Sequence, residues 1–74
     1  MQALHGAELM EVLRGEGLTV QEAISVMQDA QEFGDSYFES RKPVRRMRGF
    51  RYSYDVEAEQ DFDGSWLFSY TTTK

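Results

Sequence analysis

The fold is decided by residues 50–71, which read FRYSYDVEAEQDFDGSWLFSYT. In the first half of this stretch, apolar residues occupy every second position from Phe50 to Ala58, and polar or charged residues fill the positions between them. In the second half, the aromatic residues from Trp66 to Tyr70 repeat the same spacing. Alternation with a period of two is typical of a strand with one buried and one solvated face. The stretch therefore predicts two β-strands.

The loop that joins these strands is predicted by requiring their two apolar faces to coincide. A two-residue turn formed by Asp63 and Gly64 puts the aromatic residues of the second strand on the charged face. A three-residue loop that also includes Phe62 pairs Ala58 with Phe68, so that the apolar faces match. Such a loop favours a left-handed glycine at its third position, where Gly64 stands. We therefore predict the three-residue loop, although a five-residue loop has the same parity.

Helical periodicity precedes the strands. Between Ala3 and Arg14 the apolar residues follow a helical spacing, and two glycines soon after Arg14 end this first helix. A second helix is predicted to begin at Thr19, because Thr19 and Glu22 have the spacing of a capping box. Leu18 stands where a hydrophobic staple would pack.

The second helix is predicted to be the long one. Its apolar residues keep a period near 3.6 from Val20 to Phe38, which predicts a helix of up to about 23 residues unless Gly34 ends or bends it. Pro43 cannot stand in a helix interior. The helical part of the chain is therefore expected to cover residues 3–41.

These elements predict an α+β fold, in which two N-terminal helices are followed by an antiparallel β-hairpin that packs on the long helix. A single small domain covers residues 1–74, with a helical part at 3–41 and a β part at 44–73. Two strands alone are marginally stable. This leaves open a third strand from Val44 to Arg48, or pairing with a second copy of the chain in a homodimer.

Composition limits the classes of protein to which the chain can belong. It has 74 residues, of which 41% are hydrophobic and 14% aromatic, and this indicates a small folded domain rather than a disordered tail. It has no cysteine, which excludes disulfides and thiolate metal sites. The first residues lack a signal-peptide pattern, and no run approaches the roughly 18 apolar residues of a membrane span. We expect a cytoplasmic protein that does not bind a membrane.

No residues form a complete catalytic or metal-binding motif. His5 is the single histidine, and the serines have no base at a recognisable spacing. The residues from Glu59 to Gly64 resemble the first half of a calcium loop, but Tyr70 stands where such a loop needs a glutamate, and a hairpin accounts for the same residues. We therefore expect no enzymatic activity, no metal and no cofactor.

The charges divide the chain into three parts. Residues 1–40 hold eight acids against Arg14 alone, residues 41–51 hold six bases and no acid, and residues 52–74 hold five acids against Lys74. The central bases either fold back on acids of the same chain or form a patch for phosphate or for an acidic partner. The candidate basic patch consists of Arg45, Arg46, Arg48 and Arg51.

The first strand carries a second candidate surface. Asp55, Glu57, Glu59 and Asp61 recur at every second position, so a regular strand projects them from one face about 6.6 Å apart. This spacing is close to that of phosphates along a nucleic acid strand. The row could therefore occupy the basic channel of a nucleic-acid-binding protein, as phage-encoded inhibitors of restriction or CRISPR enzymes do. The alternative is a solvated sheet face whose charges blunt edge pairing.

We predict a small non-enzymatic protein that binds another protein as a regulator, adaptor or inhibitor, and the partner could itself bind nucleic acid. The small size, the lack of cysteine and the acidic composition resemble, as a type only, accessory proteins of phages and mobile elements. The alternative function is direct binding of nucleic acid through the basic segment 41–54, with an affinity that falls steeply as salt rises.

Overall fold

The computed structural model describes residues 3–42 and 51–72 of the chain. The strands form one antiparallel sheet with the order β1-β2-β3, and the helices pack on it. This confirms the predicted α+β class. In chain order the elements are α1 (Gly6–Gly15), α2 (Val20–Phe33), β1 (Asp35–Glu39), β2 (Ser53–Gln60) and β3 (Trp66–Thr72).

The hairpin between β2 and β3 has the predicted three-residue loop. The Asp61 N–H donates to the Ser65 carbonyl at 2.8 Å, and Ala58 lies opposite Phe68. Gly64 adopts the left-handed conformation, with φ of 91°. The apolar residues of both strands therefore lie on one face of the sheet.

The predicted capping box begins α2. The Glu22 N–H donates to Thr19 Oγ1 at 3.2 Å, and the Thr19 N–H donates to Glu22 Oε1 at 2.8 Å. Leu18, immediately before the cap, is buried, and its N–H donates to the Leu13 carbonyl at 3.2 Å. The start of α2 and its connection to α1 are thus held by local hydrogen bonds.

The first helix begins three residues later than predicted, at Gly6, because the residues before it join the sheet. The Leu4 N–H donates to the Phe68 carbonyl at 2.7 Å, and the Phe68 N–H donates to the Leu4 carbonyl at 2.8 Å. His5 precedes α1, and its N–H donates to the Glu8 carboxylate at 2.9 Å. The beginning of the described chain therefore covers part of the outer edge of β3.

The second helix ends earlier than predicted, and β1 takes the place of its last turns. Gly34 has a φ of 88°, and its N–H donates to the Ala30 carbonyl at 2.9 Å, which ends α2. Of the two possibilities that the sequence left open for this helix, the structure shows the one in which Gly34 ends it, whereas the prediction of a helical part reaching residue 41 was wrong. Apolar residues at 33, 37 and 38 suit a helical period, but a strand separates Tyr37, which is exposed, from Phe38, which is buried.

The third strand of the sheet is formed by β1. It pairs antiparallel with β2, from Asp35 opposite Glu57 to Glu39 opposite Ser53. Because β3 pairs with the other edge of β2, β2 is the central strand of the described sheet. The candidate third strand from Val44 to Arg48 lies outside the described residues.

One hydrophobic core lies between the helices and the inner face of the sheet. The Tyr54 ring borders it, stacked on Phe38 at 5.1 Å between ring centres and edge-on to Tyr70 at 5.8 Å. The other face of the sheet points away from the helices. The buried core residues are Leu9, Leu13, Leu18, Ala23, Val26, Ala30, Phe38, Val56 and Phe68.

In the described part of the chain, no helix is suited to crossing a membrane. The longer helix, α2, has 14 residues, and a span requires about 20 apolar ones.

The turn between the helices requires glycine at position 17. Gly17 has a φ of 94°, and a Cβ added there would lie 2.9 Å from the Arg41 Cβ. The approach is held by the Arg41 N–H, which donates to the Glu16 carbonyl at 2.9 Å. Gly34 has a similar φ of 88°, but an added Cβ would meet no atom within 4 Å.

We predict that Gly17→Ala destabilises the protein more than Gly34→Ala. Both substitutions place a Cβ in the left-handed region, at a cost of about 1–2 kcal/mol. The first also pushes against the chain at Arg41, which adds about 1 kcal/mol or more. Urea unfolding followed by the fluorescence of Trp66 measures both variants. Equal losses of stability would show that the turn can open away from Arg41.

Candidate functional site

The outer face of the sheet carries the acids that the alternation predicts. Asp55, Glu57 and Glu59 are all exposed on β2, while Val56 between them is buried. Successive members of this row are about 6.6 Å apart along a regular strand. The structure thus brings these three predicted residues together.

The fourth predicted member of the row, Asp61, belongs to the hairpin loop. It follows the last residue of β2 and is partly buried. Its Oδ1 accepts a hydrogen bond from the Phe62 N–H at 2.8 Å, and its N–H and carbonyl also bond within the loop. Asp61 therefore holds the turn in shape at the end of the row.

Two further carboxylates, which the sequence interpretation missed, lie on the same face. Asp35 and Glu39 are exposed on β1, and Asp35 lies directly opposite Glu57. Side chains directly opposite on an antiparallel pair have Cβ atoms about 4.5–5.5 Å apart. The sequence carries no clear signal for this strand, because the apolar spacing from Phe33 to Phe38 also suits a helical period. We call the five carboxylates the acid face: Asp35, Glu39, Asp55, Glu57 and Glu59.

The opposite border of the acid face is neutral. On β3, Leu67 lies opposite Glu59, and Ser69 lies opposite Glu57. An open depression of about 470 Å³ lies here, and its lining includes Ala3, Leu67 and both glutamates. A basic side chain laid across the sheet would find apolar surface for its stem and carboxylates for its charged end.

The acid face concentrates like charge on the central strand of the described sheet. Asp35 and Glu57 face each other directly, an arrangement that destabilises a sheet. Charges that only prevent edge pairing belong on edge strands, whereas Asp55, Glu57 and Glu59 lie on β2 between two partners. Edge protection therefore accounts for the β1 acids at most.

The first two bases of the basic segment pair within the chain. Arg41 forms a two-pronged ion pair with Glu22, and Lys42 Nζ lies 3.7 Å from Glu16 Oε2. These pairs use acids at the helix connection. In residues 3–42 and 51–72, no ion pair involves Asp55, Glu57 or Glu59.

The candidate basic patch is described only at its end. Arg51 is exposed and immediately precedes Tyr52, whose carbonyl accepts from the Ser40 N–H at 2.7 Å. The other members of the patch, Arg45, Arg46 and Arg48, lie outside the described residues. Whether the patch forms a surface stays a prediction.

A buried serine joins the strand β1 to the helix connection. Ser40 Oγ donates to Glu16 Oε1 at 2.7 Å and accepts from the Lys42 N–H at 3.1 Å. Together with the Arg41 N–H bond to the Glu16 carbonyl, these contacts bind the end of β1 to the turn after α1. The first bases of the basic segment are therefore placed beside acids by a fixed backbone.

The ion pair with Arg41 changes the titration of Glu22. The hydrogen bonds from the Arg41 guanidinium, followed by the bond from the Thr19 N–H, lower the pKa of Glu22 from 4.5 to about 2. The carboxylate of the capping box is therefore charged throughout the physiological range of pH.

Metal binding has no support in the described residues, where no three histidine, aspartate or glutamate side chains are placed to hold an ion. The segment that resembles the start of a calcium loop forms the hairpin turn instead. There Asp63 Oδ1 accepts from the Ser65 N–H at 2.9 Å, and the hydrogen bonds from Ser65 lower the pKa of Asp63.

Comparison of the chain with models of protein families, with curated proteins and with solved structures gave no match. A functional assignment therefore depends on the side chains that this chain presents. Among the described acids, Asp55, Glu57 and Glu59 are exposed in one row on the central strand of the described sheet and take part in no described ion pair.

We predict that Arg41→Met raises the pKa of Glu22 from about 2 towards 4.5. A carboxyl whose pKa is lowered by folding stabilises the folded state above its unfolded pKa, and this contribution is lost as the pH falls through the folded pKa. The stability difference between the wild type and Arg41→Met should therefore be full above about pH 5 and shrink towards pH 2.

Carbon-detected NMR titration of the glutamate side chains measures this pKa. Arg14→Met is the matched control, because it removes one exposed cation at the end of α1. An unchanged Glu22 pKa in Arg41→Met would contradict the described ion pair.

Proposed function

We propose that this protein is a non-enzymatic regulator, adaptor or inhibitor that binds a basic surface of another protein through its acid face. The observation that carries the proposal is the position of Asp55, Glu57 and Glu59. They are exposed on the central strand of the described sheet and take no part in the described ion pairs. Because no described residue forms an ion pair with these charges, a partner of opposite charge is their most direct use.

The geometry of the acid face favours a partner that binds nucleic acid. The β2 carboxylates form a row about 6.6 Å apart, and Asp35 and Glu39 add a second row on the neighbouring strand about 4.8 Å away. A basic channel built for a phosphate backbone would meet regularly spaced negative charges on a rigid support. Occupation of such a channel would make the protein an inhibitor that competes with nucleic acid.

The alternative, direct binding of nucleic acid by residues 41–54, has less support. Arg41 and Lys42 are already paired with Glu22 and Glu16, and the net charge of −5 opposes an approach to phosphate. Homodimer formation, the cytoplasmic compartment and an origin in a phage or mobile element remain predictions from the sequence.

We predict that neutralising the β2 row strongly reduces partner capture. The test variant is Asp55→Asn, Glu57→Gln, Glu59→Gln, which keeps side-chain size while removing three charges. The matched control is Glu11→Gln, Asp29→Asn, Glu32→Gln, because these three acids are exposed on the helices and the change in net charge is the same. Each tagged protein is incubated with a nuclease-treated cell extract, and captured proteins are quantified by mass spectrometry.

The expected result is a basic protein that is captured by the wild type and by the helix control. The test variant should retain it at least about tenfold less, and a double-stranded oligonucleotide should displace it. Equal capture by the test variant would contradict the proposal. Capture that appears only in a parallel extract without nuclease treatment, and that is lost in Arg45→Ala, Arg46→Ala, would favour the alternative.

A further inference from the structure

The tip of the hairpin presents a phenylalanine that contributes nothing to the core. Phe62 is 99% exposed, whereas the next most exposed large apolar side chain of the described residues, Phe33, is 70% exposed. The chain is a small domain in which each apolar side chain placed inside would add stability. The full exposure of this side chain at the end of an ordered hairpin therefore indicates a role other than stabilising the fold.

The backbone of the turn is held without any contribution from the Phe62 ring. The Asp61 N–H donates to the Ser65 carbonyl at 2.8 Å, and the Gly64 N–H donates to the Asp61 carbonyl at 2.9 Å. Gln60 Nε2 also donates to the Gly64 carbonyl at 3.1 Å. Because the loop is already ordered, little backbone freedom remains to be lost when Phe62 binds.

The charged residues around Phe62 indicate the charge around a pocket that its ring can enter. Asp61 and Asp63 flank it in sequence, and Glu59 of the acid face precedes them on β2. Both aspartates are held in place by hydrogen bonds of the loop. An apolar pocket that accepts the ring would bring its own rim against these carboxylates, so a rim of lysine or arginine is favoured.

We propose that Phe62 is the apolar anchor of the interface and inserts into a hydrophobic pocket with a basic rim on the partner protein. This inference rests on the proposed function, because the basic rim is the continuation of the basic surface that binds the acid face. Buried aromatic side chains surrounded by a polar rim carry a large part of the binding energy of many interfaces. The acid face selects a basic partner, and Phe62 fixes its position.

Photo-crosslinking tests the anchor directly. Phe62 is replaced by p-benzoylphenylalanine in the full chain, the protein is irradiated in a nuclease-treated cell extract, and the cross-linked peptide is identified by mass spectrometry. Unlabelled wild type, Phe62→Ala, Phe33→Ala and the β2-row variant are added as competitors. Phe62→Ala should keep the wild-type unfolding midpoint, because the ring makes almost no contact in the folded chain.

The expected result is an adduct with one other protein, in a peptide that contains both apolar and basic residues. Phe62→Ala should require at least about tenfold more protein than the wild type to halve the adduct, and Phe33→Ala should compete like the wild type. The photoreactive residue is larger than phenylalanine, and a narrow pocket would reject it. Capture by the wild type and by Phe62→Ala is therefore also compared without the photoreactive residue.

Several outcomes would overturn the anchor. These are equal competition by Phe62→Ala, an adduct between two copies of this chain, or no adduct together with equal plain capture by Phe62→Ala. The two proposals fail separately. If the β2-row variant competes like the wild type while Phe62→Ala does not, the acid-face proposal fails and the anchor stands, and the reverse pattern removes only the anchor.

Discussion

The register of the hairpin between β2 and β3 is the constraint on which the other features of the described structure depend. The three-residue loop places Phe68 opposite Ala58 and both on the inner face. A shift by one residue would turn the aromatic side chains of β3 towards the carboxylates of β2. The core would then lose Phe68, which packs among the helices. On the outer face, aromatic side chains would lie among the carboxylates. The left-handed Gly64 makes this register possible, because it closes the loop without strain.

A second glycine decides how many strands share this sheet. At Gly34 the chain leaves α2 in the left-handed conformation, and β1 runs back along β2. This change of direction buries Phe38 against Tyr54 and brings Asp35 and Glu39 beside the β2 acids. The same reversal turns a single row of carboxylates on a hairpin into a two-row surface, with β2 in the centre.

The described ion pairs and the exposed hairpin tip lie at opposite ends of the described strands. At the end of β1, buried Ser40 and the backbone of Arg41 are bonded to Glu16, so Arg41 and Lys42 lie beside Glu22 and Glu16. The acids of the outer face lie elsewhere and form no ion pair within residues 3–42 and 51–72. At the other end, the ordered hairpin tip presents Phe62 among carboxylates. The acid face and this tip are continuous along β2, which is why we assign them to one interface.

The sequence by itself determined the features that depend on neighbouring residues. The capping box of Thr19 and Glu22, the loop ending at Gly64 and the alternation along β2 and β3 were all predicted, because each depends on local hydrogen bonds or on parity within a few residues. Tertiary structure alone decided that residues 35–39 form a strand. Their apolar spacing suits a helix as well, and the choice depends on pairing with β2, whose partner residues run from Glu57 opposite Asp35 to Ser53 opposite Glu39 and are distant in sequence. It follows that Asp35 and Glu39 could not be placed on the acid face from the sequence. Tertiary structure also decided the exposure of Phe62, because this exposure depends on which side chains the folded chain brings around the loop.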